Sequence, residues 1–240
     1  MTSLTLPRRD ALLAGLGAAC LLVPAGLRAE EQKGQATGQE KPVGAVEDLM
    51  REHGILRRVL LVYAETIPKL EKEAAGWDVG AVHDAAQLFR SFGEDYHEKK
   101  LEEENIFPAI RTGAAALAPM TETLARQHVR GREITDHILG ATSGGKIKSG
   151  QGKALARQLH DLIRMYQNHA AREDTILFPA WKKTLSQQDL DQLSEKFEGI
   201  EKQTFGTDGF DDAIKKIAAI EGRLGLSDLA MFTAQAPVLK

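Results

Sequence analysis

The chain has 240 residues, 42% of them hydrophobic and 5% aromatic, with a formal net charge of −3. That length suits one domain of ordinary size plus a tail, and the apolar share can fill a core. No run of Lys and Arg forms a stripe, which excludes a phosphate-binding surface and hence a nucleic-acid partner. Ala, Leu, Glu, Lys and Gln dominate the middle of the chain and favour helix over sheet.

Residues 1–29 read as a secretory signal. Arg8 and Arg9 precede an apolar stretch from Ala11 to Val23, Pro24 and Gly26 break it, and Leu27-Arg28-Ala29 is a passable cleavage site. The adjacent arginines suggest the twin-arginine route, which exports folded proteins, and a periplasmic destination. At about 13 residues the apolar run is short for a membrane span of roughly 20. No stable membrane insertion of the mature chain is therefore expected. Cleavage removes Cys20, the only cysteine, so any metal site must use nitrogen and oxygen. It also brings the charge to −5, because three arginines and one aspartate leave. Residues 30–43 are polar, with two glycines and a proline, and form a linker.

Four long periodic segments follow. The first, 44–73, carries the seam Val46, Leu49, His53, Leu56, Leu60, Tyr63, Ile67 and Leu70, in steps of three and four. The second, 79–110, has Val82, Ala86, Phe89, Gly93 and His97 on one side. Leu117, Leu124, His128, Gly131, Thr135 and Ile138 mark the third, 115–139. The fourth, 151–183, has Leu155, Leu159, Leu162, Tyr166, His169, Glu173, Ile176 and Ala180. Short breaker clusters between long helices predict an all-α, up-down-up-down antiparallel four-helix bundle over residues 44–184. Residues 185–240 form a C-terminal extension, with short helices over 189–201 and 210–223 and a frayed end from Ala234.

The chemistry lies in where the histidines fall. Of seven, His53, His97, His128 and His169 lie on inward seams, while His83, His137 and His160 do not. One inward histidine is ordinarily a satisfied core residue. Four together, with carboxylates on the same seams, ask for a positive charge, because a carboxylate buried without a partner costs several kcal/mol or more. Four neutral imidazoles cannot supply it, and a metal can. Counted from the turns near Gly76 and Gly113, the histidines fall at similar depths and can share one layer.

His169 and Glu173 are one helical turn apart and face the same way. On the second segment Glu102 lies five residues beyond His97, off an ideal helical seam. A π-bulge near Lys99 to Leu101 brings it back; Glu98 and Glu103 compete for the role. An internal echo favours Glu102: residues 102–110 (EEENIFPAI) resemble residues 173–181 (EDTILFPAW).

At these residues the chain resembles the hemerythrin-like, HHE cation-binding family over about residues 46–182. The likeness rests on Glu52-His53, on Asp95-Tyr96-His97 with Glu102-Glu103 before Ile106-Phe107-Pro108, on Gln127-His128, and on His169-Ala-Ala-Arg-Glu173 before Leu177-Phe178-Pro179. It implies a bundle with a carboxylate-bridged, non-haem di-iron centre, held by His53, His97, Glu102, His128, His169 and Glu173. The family's oxygen carriers have a second histidine one turn after the third-helix histidine. Here that position is Arg132, which removes a ligand, adds a positive charge and speaks against reversible oxygen carriage.

Six such ligands leave each of two irons short of octahedral, with open positions for dioxygen, peroxide or nitric oxide. Iron suits the donors, and donor type alone admits zinc or manganese as well. Tyr63 and Tyr166, also on the seams, are core residues with hydrogen-bonded hydroxyls, or groups that touch a bound ligand. Three functions stay open: binding or sensing a small molecule; an enzyme such as a peroxidase or oxidase with an external electron donor; and iron holding or a metal-stabilised structural bundle. The oligomeric state is not legible.

Overall fold

The computed structural model describes residues 43–237. The expected signal at 1–29, Cys20 with it, and all but the last residue of the expected linker lie outside those residues. Among the described residues there is no strand, and the chain is a helical bundle.

The first long run is α1 (Ala45–Glu71). The second is continuous through α2 (Val79–Leu88), a π-helix, π1 (Phe89–Ile106), and α3 (Phe107–Gly113). The third is α4 (Ala118–Thr142), preceded by a 3₁₀ turn at Ala115–Leu117. The fourth joins α5 (Gly152–Arg172), a short π-helix π2 (Glu173–Leu177) and α6 (Phe178–Lys182). Helix α1 packs along α5 and against α2, and α4 packs against α2, π1 and α5. Every seam residue expected on the first run is buried, as are those from Leu124 to Ile138 on the third.

The two π-helices explain where simple periodicity fails. Proline has no N–H, and its ring collides with the carbonyl four residues back. Pro108 and Pro179 each follow a phenylalanine just past a π segment. The N–H of Phe107 bonds the Glu102 carbonyl, and that of Phe178 bonds the Glu173 carbonyl, each five residues back. This wider winding moves the register before the proline arrives. On the second run it turns Glu102 fully inward. On the fourth it corrects the expected seam: Ile176 is 43% exposed, and Leu177, Phe178 and Trp181 take the core positions instead.

Beyond the bundle come α7 (Gln187–Phe205) and α8 (Gly209–Leu224), both longer than periodicity predicts. Ser186 and Asp189 form a reciprocal capping box at the start of α7. Gly206, with φ of 73°, ends that helix in the left-handed region open to glycine. Asp208 caps α8 by accepting from the Asp211 N–H. Helix α8 lies on α1 and α2, and α7 on α1 and π1.

Candidate metal centre

His53 comes from α1, His97 and Glu102 from π1, His128 from α4, His169 from α5 and Glu173 from π2. All six side chains are buried. The Nε2 atoms of His53 and His97 are 3.0 Å apart, and those of His128 and His169 are 3.2 Å apart. The carboxylates lie between the two pairs. Glu102 places Oε1 3.5 Å from His97 Nε2 and Oε2 3.3 Å from His128 Nε2. Glu173 places Oε2 3.4 Å from His53 Nε2 and 3.0 Å from His169 Nε2. Three sets of atoms are close enough to hold a cation: His53, His97 and Glu102; Glu102, His128, His169 and Glu173; and Glu98, Glu103 and His128, where the Arg132 guanidinium already meets both carboxylates.

None of the four oxygens of Glu102 and Glu173 has a hydrogen-bond partner of acceptable geometry among the described residues. The imidazole nitrogens beside them are in Coulombic contact rather than aimed along a bond. Buried carboxylate oxygens are almost never left so. A cation between them and the Nε2 atoms satisfies both sets at once, and the all-nitrogen-and-oxygen donors suit iron, zinc or manganese.

The electrostatics add a second source of positive charge. Burial alone lowers an imidazole's pKa, yet facing Glu102 and backing Glu52 hold His97 well above its ordinary value. Burial likewise opposes protonation of His128, but Glu98, Glu102 and Glu103 push it up to about 10. His53 is also raised against burial, by Asp174 and Glu173. Burial alone raises a carboxyl, and His97 and His128 override it to hold Glu102 well below its ordinary range. Glu173 is lowered too, where His169 and His53 outweigh burial and the charge of Glu102. Sequence reasoning assigned the compensating charge to a metal alone, on the premise of neutral imidazoles. The site can also be compensated by protons, so a metal entering it displaces them.

Each histidine turns its Nε2 inward because its Nδ1 is held from outside. His97 Nδ1 is 2.6 Å from Glu52, His128 Nδ1 3.0 Å from Glu103, His169 Nδ1 2.8 Å from Gln127, and His53 Nδ1 2.7 Å from Asp174. These partners close a ring around the bundle, each run backing the histidine of the next. Each partner is also the immediate sequence neighbour of an inward residue: Glu52 of His53, Glu103 of Glu102, Gln127 of His128, Asp174 of Glu173. On a helix, neighbours diverge by about 100°, so one points inward and the next reaches sideways to the adjoining helix. Such outer bonds fix ring orientation and raise donor strength. From the sequence, Glu103 reads only as a rival ligand to Glu102, and Glu52, Gln127 and Asp174 stand in the quoted motifs and echo without a role; their adjacency to the inward groups is the available signal.

The competitors for Glu102 have other work. Glu98 accepts from the Tyr166 hydroxyl at 2.7 Å and pairs with Arg132 at 3.4 Å. Glu103 pairs with Arg132 at 2.5 Å while it backs His128. The guanidinium of Arg132 therefore lies beside the centre and meets the charge of Glu98 and Glu103. Tyr63, expected to have a bonded hydroxyl, is buried with no hydrogen-bond partner among the described residues. His137 and His160 are exposed, and half-buried His83 bonds Thr142 at 2.9 Å.

The family model for the hemerythrin HHE cation binding domain matches residues 44–181. An uncharacterized protein of Mycobacterium bovis and one of Mycobacterium tuberculosis are each 42% identical to this chain over 196 residues. The match covers 81% of this chain and 76% of each relative. No solved structure matches it. With its histidines and carboxylates gathered in one buried layer, the chain belongs to the hemerythrin HHE cation-binding domain family.

Proposed function

We propose that this chain is a non-haem, di-iron protein of hemerythrin type that binds dioxygen or a related small molecule. His53, His97, Glu102, His128, His169 and Glu173 hold the two ions, within an up-down-up-down antiparallel four-helix bundle. One observation carries this reading: four unpartnered carboxylate oxygens stand inside a ring of four Nε2 atoms. Each carboxylate lies between one histidine of each pair, which is where a group shared by two ions belongs. Bound iron supplies Lewis-acid and redox chemistry at its open positions.

The chain's own residues limit what can enter. A void of about 10 Å³ lies against His53, His97, His169, Glu98, Tyr166 and Leu60, which is room for roughly one water-sized guest. That size favours dioxygen, peroxide or nitric oxide over any organic substrate. The Tyr166 hydroxyl already donates to Glu98, so both groups offer the guest acceptor atoms, while Arg57 brings a cation to the same wall and Leu56, Leu60 and Ala170 form its apolar part.

The test is metal analysis of protein purified from its native compartment, with optical spectra under air and under dithionite. About two irons per chain and a spectrum that responds to reduction are expected. Normally folded protein without bound transition metal sinks the reading. A metal-loaded site inert to oxygen and azide favours a structural or iron-holding bundle. Steady peroxide turnover with an added electron donor makes the protein an enzyme.

We also propose export by the twin-arginine route to the periplasm, on residues 1–29 alone. A mature N-terminus near Glu30 in a periplasmic fraction is expected; an intact N-terminus in the cytoplasm refutes it.

A further inference from the structure

The part of the molecule beyond the family domain touches the centre through one chain of contacts. Of the four groups that back the histidines, Asp174, Glu103 and Gln127 are half-buried, whereas Glu52 is 1% exposed. A carboxylate that far from water needs more than one donor. The hydroxyl of Tyr96, which neighbours His97 in the chain, lies near this carboxylate: burial first, and then the charge of Glu52, push the phenol's pKa far up. The Tyr96 ring is itself buried. It packs on Phe92 at 5.6 Å and takes Phe205, the last residue of α7, edge-on at 5.1 Å.

Phe205 is in turn pinned. A Cβ on Gly209 would lie 2.2 Å from its ring, so only glycine lets α8 begin so close. The surrounding bonds tie the same two helices down. Lys100 of π1 donates to Thr204 at 2.8 Å, and Lys196 donates to Asn105 at 2.5 Å. The Asn105 amide donates at 2.6 Å to the Lys100 carbonyl, inside the π-helix. Arg58 of α1 makes two bonds to Glu221 of α8, at 2.8 and 2.5 Å. Such π winding is rare and holds only where its surroundings support it.

We propose that the C-terminal helical pair is a working part of the metal centre: Phe205 seats Tyr96, Tyr96 seats Glu52, and Glu52 fixes the ring of His97. Tyr96 and Phe205 are thus positioning residues for one of the two ion positions, and residues 187–224 are more than a cover. This rests on the reading that His97 binds metal.

Cobalt(II) titration of the full-length, metal-stripped chain tests it, because cobalt's visible bands report the geometry of its nitrogen and oxygen donors. Tyr96→Phe keeps the ring packed and removes only the hydroxyl. It is expected to weaken cobalt binding roughly tenfold or more, the usual cost of an outer partner, and to shift the bands, with helix content unchanged. Phe205→Leu is expected to change the spectrum in the same direction by less, and Lys216→Ala, exposed on α8, not at all. If the parent chain binds no cobalt, the reading of the site falls. If the parent binds cobalt and folded Tyr96→Phe gives the same isotherm and bands, the site stands and the role given to the extension is wrong.

Discussion

The two halves of the centre are built to one plan and finished differently. In one half, His53 of α1 lies parallel to Phe178 at 5.6 Å, has Asp174 behind it, and precedes Arg57, which pairs with that aspartate. In the other, His128 of α4 lies parallel to Phe107 at 5.5 Å, has Glu103 behind it, and precedes Arg132, which pairs with that glutamate. Both arginines stand four residues after their histidine. The Phe-Pro echo is thus a pseudo-twofold device: the same turn supplies a carboxylate, an outer acid and a stacking ring to each half. The finish differs at two pairs of positions. Glu52 backs His97 where neutral Gln127 backs His169, and Leu56 stands where Gly131 stands. Repetition secures the donors, and the departures give the two histidine pairs unlike surroundings.

Removing what the halves share should have the largest effect. Glu102→Ala and Glu173→Ala each delete a carboxylate that touches both histidine pairs, so each is expected to lose most of the bound metal. His169→Ala should lose at least one, while His160→Ala, exposed on α5, keeps the parent's content. Metal analysis after identical purification decides it, and equal loading across all four variants breaks the comparison at its root.

Next in size is the pH response of the metal-free chain. His128, raised from 6.5 to about 10, contributes stability that is complete below pH 6.5 and fades as pH climbs toward 10. Buried Glu94, raised from 4.5 to about 7 chiefly by burial, costs stability as pH rises from 4.5 to 7 and no further, which tilts the maximum toward its acid end. Glu103 works oppositely: burial would raise it, but His128 and Arg132 hold it near 2. Its contribution is present above pH 4.5 and disappears as pH falls through 2. With chelator, the thermal midpoint should therefore be highest between pH 4.5 and 6.5 and drop by pH 9. Each kcal/mol lost lowers it by roughly 2–4 °C. Metal-loaded protein should lack most of the alkaline drop, since the imidazoles there bind metal without their protons. Matching profiles with and without metal would refute the proton-for-metal exchange.

Much of this plan is legible in the sequence, and the limits have physical causes. The four inward histidines and the run lengths follow from a period near 3.6, which reports burial directly. The echo points to Glu102, although its spacing from His97 is wrong for an α-helix. The extent of the π winding is not legible, because it is a response to Pro108 and Pro179 acting with tertiary packing. For that reason Ile176, faultless by periodicity, lies outside the core. The outer ring of Glu52, Glu103, Gln127 and Asp174 is hidden for another reason. Its members join different runs, and a single chain's periodicity says nothing about what a sideways residue meets. The contact of Phe205 with Tyr96, more than a hundred residues apart in the chain, is hidden in the same way.

Exchanging the finish of the halves should act on affinity more than on content. Glu52→Gln gives His97 the neutral partner that His169 has, and is expected to weaken one ion position tenfold or more. Gln127→Glu makes the reciprocal change and should strengthen the other position by less, since Gln127 is half-buried and water already screens it. Isothermal titration of both variants should show the two binding steps drawing apart or together in opposite directions. The same displacement in both would mean that the outer partners do not set the difference.

The smallest expected effects come from the Leu56 and Gly131 positions. A Cβ on Gly131 would stand 1.9 Å from the Tyr166 hydroxyl, and one on Gly93 would stand 2.8 Å from a terminal methyl of Leu56. Each half thus fits a large side chain into a glycine notch, with the partners reversed. Tyr166 is buried, its ring stiff and its hydroxyl committed to Glu98, so it cannot yield without breaking that bond. Overpacking of this kind costs about 1–3 kcal/mol, against a helix-propensity gain of roughly 1 kcal/mol from replacing glycine. Leu56 can rotate its methyl away at little cost, so there the gain and the strain nearly cancel. Gly131→Ala is therefore expected to lower the thermal midpoint by a few degrees at most, and Gly93→Ala to leave it near the parent's. The Gly131→Ala variant should also disturb the visible bands of the cobalt-loaded protein, because Tyr166 packs 5.5 Å from the ring of His169. A larger destabilisation from Gly93→Ala would mean that Leu56 is held as firmly as Tyr166, and that the two notches are mechanically equivalent.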